Sequence, residues 1–231
     1  MTDLDYPRKD LLVSDQWLFS NLNDPELKIV DAGNWILEEP RLERIPGAIS
    51  PEHPYVKSGK DKKFVADPHE FEAISRNMGI SSDSRIVIYD SAYSLNAARF
   101  WWVLNYYNIS NVSILNGGFD KWKKNYPTTT QIQPVLKSNY SPVINQNVLA
   151  TASSMNDAIE DTDATIWDTR TLGEYSGENP RSNSRVGHVP GAIHFEWKQM
   201  MNEDSTFKNA DRIQEILNKL GIIPNKRIYT Y

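Results

Sequence analysis

The chain contains the segment Ile45-Pro46-Gly47-Ala48-Ile49 and, at an offset of 189 − 45 = 144 residues, the segment Val189-Pro190-Gly191-Ala192-Ile193. A Pro-Gly pair alone indicates only a turn. When other segments recur around such a motif in the same order, the repetition indicates two copies of one structural domain.

Two further pairs of matching segments flank the motif. Ile29-Val30-Asp31 precedes the first copy as Ile166-Trp167-Asp168 precedes the second, at an offset of 168 − 31 = 137 residues. Arg85-Ile86-Val87-Ile88-Tyr89 follows the first copy as Arg227-Ile228-Tyr229-Thr230-Tyr231 follows the second, at an offset of 227 − 85 = 142 residues. Three blocks in one order, at nearly equal offsets, predict a tandem repeat of a single domain.

Each copy alternates short apolar runs with amphipathic stretches. The predicted strands are residues 28–31, 85–89, 112–115, 165–168 and 226–231. Helices are predicted between them, including one that starts at Asp67-Pro68 and one at about 210–219. Strands of apolar residues that alternate with helices are typical of parallel sheets covered by helices. The predicted fold class is therefore α/β, with two such domains. The second is expected to be incomplete, because nothing in it corresponds to residues 90–126.

A polar stretch separates the two copies. Residues 128–148 carry several Thr, Ser and Asn residues, a composition typical of a linker. We predict a first domain at residues 1–127, a linker at 128–148 and a second domain at 149–231.

Composition excludes several classes of function. The net charge of −5 argues against a nucleic-acid partner. No apolar run is long enough for a membrane helix, and residues 1–10 lack the apolar segment of a signal peptide, so a cytoplasmic protein without a membrane partner is expected. The chain has no cysteine, which excludes disulfides, thiolate metal ligands and a cysteine nucleophile within these 231 residues.

Ligand sites in parallel α/β domains lie beyond the carboxyl ends of the strands. In the first copy this position is the loop Asp90–Ser94, which leads into a helix carrying Arg99. Such a loop can direct backbone N–H groups at an anion or a thiolate. Asp90 places a carboxylate there instead, which would repel an anionic substrate. The sequence therefore predicts that Asp90 caps the following helix and that the loop of the first copy is degenerate.

The second copy carries the more specific motifs. Asp168-Thr169-Arg170, Glu174-Tyr175 and Arg185-Val186-Gly187-His188-Val189-Pro190-Gly191-Ala192 resemble the Asp-x-Arg and Gly-His-Ile-Pro-Gly-Ala signature of tandem-domain rhodanese-type sulfurtransferases, the thiosulfate and 3-mercaptopyruvate sulfurtransferase family. The first copy resembles the non-catalytic N-terminal domain of these enzymes. The resemblance spans nearly the whole chain.

This resemblance implies a reaction. In such enzymes the matching strand of the second domain leads into a loop of the form Cys-x-x-Gly-x-Arg. Its cysteine takes a sulfane sulfur from thiosulfate or 3-mercaptopyruvate and passes it from the persulfide to cyanide or another thiophile. No metal or organic cofactor is implied. The cysteine is expected directly after Tyr231, so this chain is expected to be truncated before its nucleophile and inactive.

The resemblance also implies roles for residues near this position. Arg181 and Arg185 are expected to bind the anionic donor, with plain solvated charge as the alternative. Asp168 and Arg170 are expected to support the site as a pair. His188 is expected to order its turn by hydrogen bonding, with a catalytic base as the alternative. Members specific for 3-mercaptopyruvate carry an arginine where this chain has Glu174, which favours thiosulfate or another sulfane donor.

Two functions of different classes remain open at this point. The first is sulfur transfer, which the family resemblance implies and which needs the missing cysteine. The second is a non-catalytic rhodanese-like module used in binding or regulation, which would be favoured if the intact gene product ends at Tyr231 and is soluble and folded.

Overall fold

The computed structural model describes residues 4–33, 42–51, 64–181 and 183–231. Its contacts divide the chain into two compact units. The first unit comprises Met1–Val148 and Glu203–Thr206, and the second comprises Leu149–Asn202 and Phe207–Tyr231.

The first unit is a parallel sheet with helices in its crossover connections. Its strands are β1 (Leu12–Val13), β2 (Leu27–Asp31), β3 (Arg85–Tyr89) and β4 (Val112–Leu115). Its helices are α1 (Asp15–Ser20), α2 (Pro68–Asn77), α3 (Leu95–Tyr106) and α4 (Gly118–Asn125). The strands pair in parallel in the order β1-β4-β3-β2. The three strands predicted in this part of the chain are confirmed; β1, only two residues long, offers no periodicity to detect.

Helices cover β3 on both faces of the sheet. Ile86 and Ile88 belong to one buried cluster with Phe100, whereas Val87 belongs to a second cluster with Trp122. Successive side chains of a strand point to opposite faces, so alternate residues enter different clusters. A strand buried on both faces has to be apolar throughout, which explains why β3 reads as an uninterrupted apolar run after its arginine.

The start of α2 shows how local sequence sets an element boundary. The Asp67 carboxylate accepts a hydrogen bond from the Glu70 backbone N–H at 2.9 Å, and the Glu70 carboxylate accepts one from the Asp67 N–H at 3.2 Å. Pro68 occupies the first turn, where its missing N–H has no helical partner to lose. This capping box confirms the helix start that the sequence predicts.

The segment at residues 128–148, for which the sequence predicts a linker, packs on the first unit along part of its length. Arg44 and Thr129 exchange two backbone hydrogen bonds of 2.9 Å. Tyr140 is buried, its carbonyl accepts a bond from the Arg76 Nε at 2.8 Å, and its hydroxyl donates to the Tyr107 carbonyl. The two units are therefore connected by a segment that is partly ordered through its contacts with the first.

The second unit repeats this architecture. Its helices are α5 (Ala152–Glu160), α6 (Leu172–Ser176) and α7 (Ala210–Lys219), and its strands are β5 (Ala164–Asp168), β6 (Ile193–His194) and β7 (Arg227–Thr230). The described strands form a parallel sheet in the order β6-β5-β7. The fold class predicted from the sequence, two α/β domains with parallel sheets flanked by helices, is confirmed.

Strand register confirms that the two units are copies. Leu27 pairs with Arg85 in the first unit, and Ala164 pairs with Arg227 in the second. These pairs are related by the sequence offsets 164 − 27 = 137 and 227 − 85 = 142. The ion pair between Arg85 and Asp24 recurs between Arg227 and Asp161 at the same offsets. Within the described ranges no helix is both long and apolar enough to cross a lipid bilayer.

Candidate functional site

The candidate site lies at the carboxyl ends of β5 and β7. Tyr231 follows β7, and its backbone carbonyl accepts hydrogen bonds from the N–H of Thr169 at 3.0 Å and from the Thr169 hydroxyl at 2.8 Å. The Tyr231 hydroxyl accepts a bond from the Val189 N–H at 2.8 Å, and its interaction with the Asp168 carboxyl helps to lower the pKa of that group. Both ends of Tyr231 are therefore held by neighbouring segments of the second unit.

Asp168 and Arg170 form a buried ion pair beneath this tyrosine. The Asp168 side chain is fully buried, and Arg170 bonds it through Nε at 3.0 Å and through Nη2 at 2.5 Å. Although burial opposes ionisation, the hydrogen bonds from Arg170 hold the pKa of the Asp168 carboxyl below its ordinary value. Arg170 also donates to the Gly187 carbonyl at 2.9 Å and lies over the Tyr231 ring.

The turn at residues 187–192 is anchored to α6 through His188. The His188 Nδ1 lies 2.9 Å from the Tyr175 carbonyl oxygen, and the two rings stack at 3.8 Å between centroids. The Tyr175 hydroxyl donates to the Ala192 carbonyl at 3.4 Å. His194 stacks on the same ring and places its Nε2 2.9 Å from the Arg170 carbonyl. These contacts hold the turn in position beside Tyr231.

The loop between α6 and this turn carries the two arginines expected to bind a donor. Arg181 is exposed, but its Nε lies 3.0 Å from the carboxylate of Glu174, a side chain only 9% exposed. Arg185 is also exposed, and within the described part of the chain it forms no ion pair. The two arginines, for which the sequence predicts the same role, therefore differ in their ion pairing.

In the first unit, Asp90 occupies the matching position after β3. Its carboxylate accepts four backbone hydrogen bonds of 2.7–3.0 Å, whose donors are the N–H groups of Ala92, Ser94, Asn96 and Ala97. Burial raises the pKa of the Asp90 carboxyl above its ordinary value, and the four N–H donors act in the opposite direction. These amides, which could face a bound anion, point at the chain's own carboxylate.

Arg99 does not join this group of amides. It is exposed on α3, with its guanidinium over the Trp102 ring at 5.1 Å. The structure therefore places Asp90 inside the loop of the first unit and Arg99 on the outer surface of the following helix.

Sequence reasoning missed the role of the two tyrosines. The Tyr89 hydroxyl accepts a bond from the Ile45 N–H at 3.2 Å and donates to Asp31 at 3.1 Å. The Tyr231 hydroxyl likewise accepts from the Val189 N–H and interacts with Asp168. The signal was present, because both tyrosines hold the same place in the repeat, at the end of a strand whose partner strand ends in aspartate. A tyrosine that recurs at the end of the matching strand in both copies indicates that its hydroxyl forms the same kind of hydrogen bond in both.

Comparison with known proteins agrees with this arrangement. Residues 14–125 and 151–231 both match the rhodanese-like domain family. A Haloferax volcanii protein provisionally named a thiosulfate sulfurtransferase is 31% identical over 100% of this chain and 84% of its own length. The 3-mercaptopyruvate sulfurtransferase of Escherichia coli K12 is 25% identical over 94% of this chain and 81% of its own length.

The fold is also that of a solved structure. This chain superposes on the crystal structure of SseA from Escherichia coli with a TM-score of 0.83 at 23% identity, covering 95% of this chain and 87% of SseA. That structure is described as showing the "Rhodanese" fold of 3-mercaptopyruvate sulfotransferases. Sequence motifs, the repeated strand register and these matches lead to one conclusion. The chain belongs to the rhodanese-like family, as a tandem-domain member of the thiosulfate and 3-mercaptopyruvate sulfurtransferases.

Proposed function

We propose that this chain carries the donor-binding and supporting parts of a sulfurtransferase that moves a sulfane sulfur from thiosulfate, or 3-mercaptopyruvate, to cyanide or another thiophile. In that reaction a cysteine thiolate attacks the outer sulfur of thiosulfate, and the sulfur–sulfur bond breaks as sulfite leaves. With 3-mercaptopyruvate the thiolate attacks the thiol sulfur, the carbon–sulfur bond breaks, and the enolate that leaves takes up a proton to give pyruvate. The thiophile then takes the sulfur and returns the thiolate. None of the 231 residues is a cysteine, so we expect this chain to bind the donor without forming a persulfide.

One observation carries this proposal: an exposed arginine, Arg185, lies two residues before a turn that is fixed from three sides. Arg170 bonds the Gly187 carbonyl, His188 contacts the Tyr175 carbonyl, and Tyr231 accepts from the Val189 N–H. An anchored turn can hold a nearby cation in place for a small anion at a low entropic cost. In this proposal Asp168, Arg170 and His188 support the site, and Arg181 and Arg185 meet the donor.

The test has two parts. Thiosulfate and cyanide are incubated with the purified chain, and thiocyanate formation is expected to stay at the uncatalysed rate; saturable turnover would refute the need for cysteine. Thiosulfate binding is measured by calorimetry for the chain and for Arg185→Gln. We expect weaker binding by about 2- to 10-fold for the variant, since a hydrogen bond to a charged group contributes about 1.5 kcal/mol or less at an exposed site.

The second candidate is a non-catalytic rhodanese-like module for binding or regulation. The absence of cysteine and the filled loop around Asp90 favour it, because neither unit then offers a nucleophile. The same measurements separate the candidates. A module of this kind would show no dependence of thiosulfate affinity on Arg185.

A further inference from the structure

A carboxylate on α6 pairs with one of the two arginines expected to bind the donor. Glu174 lies in the short helix α6, with its side chain 9% exposed, and pairs with Arg181, whose side chain is 61% exposed. The pair therefore joins a buried anion to a cation on the loop surface. A donor that binds Arg181 has to share the guanidinium with Glu174 or displace it.

The position of Glu174 is fixed independently of Arg181. Its carboxylate accepts hydrogen bonds from the Thr171 hydroxyl at 2.7 Å and from the Thr171 N–H at 3.2 Å, and the Thr171 hydroxyl accepts one from the Glu174 N–H in return. This capping box holds the carboxylate at the start of α6. Glu174 therefore stays in place whichever way Arg181 turns.

Electrostatics keep this carboxylate charged. Although partial burial opposes ionisation, the Thr171 hydrogen bonds and the charge of Arg181 lower the pKa of Glu174. The charge of Arg170 also helps to lower the pKa of Glu174, but the Arg170 guanidinium is hydrogen-bonded to Asp168. Arg181 is thus the cation that Glu174 neutralises.

Hydrogen bonds connect the loop that carries Arg181 to the helix that carries Glu174. Arg181 has a φ of +46°, in the left-handed region that non-glycine residues seldom adopt. Its N–H donates to the Asn179 side chain at 3.1 Å, and the Asn179 N–H donates to the Gly173 carbonyl at 2.9 Å in α6. These bonds tie the backbone before Arg181 to the helix that carries Glu174, which keeps the two charges together.

We propose that Glu174 is a specificity-determining residue that holds Arg181 as an internal counter-ion, so that Arg185 is the guanidinium of this loop that an anionic sulfur donor meets without displacing Glu174. This inference rests on the proposed donor site and narrows it, because Arg181 then meets the donor only in competition with Glu174. A donor with one negative charge is repelled less by Glu174 than a dianion such as thiosulfate. This repulsion opposes the preference for thiosulfate that the family resemblance implies for Glu174. Removing the charge of Glu174 should release Arg181 for the donor.

The experiment is a double-mutant cycle on the full chain with Glu174→Gln, Arg181→Gln and both together. Glutamine at this position can still accept the Thr171 hydrogen bonds, so α6 keeps its cap. Glu215→Gln is the matched control, because Glu215 pairs with Arg212 and Lys219 on α7 and its loss changes the net charge equally. Binding of thiosulfate, and of pyruvate as a monoanion, is measured by calorimetry at low ionic strength.

We expect Glu174→Gln to tighten thiosulfate binding about 2- to 5-fold, the range for a partly exposed charge pair. The gain should be smaller for pyruvate, because the interaction scales with ligand charge. Arg181→Gln should abolish the gain in the Glu174→Gln background and change little by itself. Glu215→Gln should leave both affinities unchanged.

The remaining outcomes distinguish a failure of the role proposed for Glu174 from a failure of the proposed donor site. Equal gains for Glu174→Gln and Glu215→Gln would overturn the inference, as would an equal loss from Arg181→Gln in both backgrounds. If Arg185→Gln still weakens binding in that case, the donor site stands and only the role of Glu174 fails. If Arg185→Gln has no effect while the Arg181-dependent gain persists, the donor site as proposed fails. Absence of thiosulfate binding in every variant overturns both.

Discussion

Strands β3 and β7 hold matching places in the two units, yet their surroundings differ. β3 lies between β2 and β4 and is buried from Ile86 to Tyr89. β7 pairs with β5, and among the described residues no strand pairs with its other edge; Ile228 is 39% exposed. The same local sequence pattern forms the same strand with the same register in both units. Register therefore follows from local sequence, whereas burial depends on the elements that cover the strand.

The two units can also be compared around Tyr89 and Tyr231, which hold matching places at the ends of β3 and β7. In each unit a tyrosine hydroxyl connects an aspartate to the turn that carries Pro-Gly-Ala. The second unit adds Arg170, which pairs with Asp168, where the first unit has Gly33, whose N–H bonds Asp31 at 2.9 Å. The first unit thus holds its tyrosine through a hydrogen bond to Asp31, whereas the second unit adds an ion pair between Arg170 and Asp168.

The largest expected difference between the units is in hydrogen exchange. We expect the amides of Ile86–Ile88 to exchange at least about 100-fold more slowly than those of Ile228–Thr230, because strands in a buried core open only with their whole unit while edge strands open locally. Exchange measured by NMR on the full chain tests this, with Ile166 in β5 as the internal reference. Equal protection of β3 and β7 in a monomeric chain would show that the outer edge of β7 is covered.

A second difference concerns the two aspartates. Asp168→Asn should lower the free energy of unfolding of the second unit by about 2–3 kcal/mol, because it leaves the partly buried Arg170 without its counter-ion. Asp31→Asn should cost the first unit about 1 kcal/mol, because the amide oxygen can still accept the Gly33 hydrogen bond, while the amide NH2 that replaces the second oxygen can donate to the Tyr89 hydroxyl. Unit-specific exchange rates give both values. A larger loss for Asp31→Asn would mean that the ion pair between Asp168 and Arg170 contributes less to stability than the hydrogen bonds of Asp31.

The smallest expected effect is a difference in acid stability. The pKa of Asp168 is lowered in the folded state, so its stabilisation is complete above the ordinary value of about 3.9 and is lost as pH falls through the folded pKa. The pKa of Asp90 is raised, so its contribution has the opposite sign and favours the folded first unit on acidification. Between about pH 5 and pH 2 the second unit should lose stability first.

Circular dichroism and unit-specific NMR signals during acid titration check this order of unfolding. In Asp168→Asn the acid-dependent part of the second unit's loss should shrink. An unchanged profile in that variant would assign the effect to other carboxylates, of which Glu174 also has a lowered pKa.

Much of the fold could be predicted because its elements are local. The strand Arg85–Tyr89, the strand Val112–Leu115 and the helix Ala210–Lys219 have the bounds that periodicity and capping residues predict. The short strands β1 and β6 were not predicted, because two residues carry no period and their pairing is set by distant partners. The candidate site was predicted as a set of residue types at a strand end, without the contacts among them.

The amino-acid sequence by itself determined the tandem repeat, the two parallel α/β domains and the absence of a cysteine. Only the tertiary structure showed that Glu174 neutralises Arg181 while Arg185 stays without an ion pair in the described part of the chain, and that Asp90 satisfies four amides of its own loop. The reason is physical. Strands and helices follow from the periodicity of neighbouring residues, whereas the pairing of charges depends on which side chains the folded loops bring within a few ångströms.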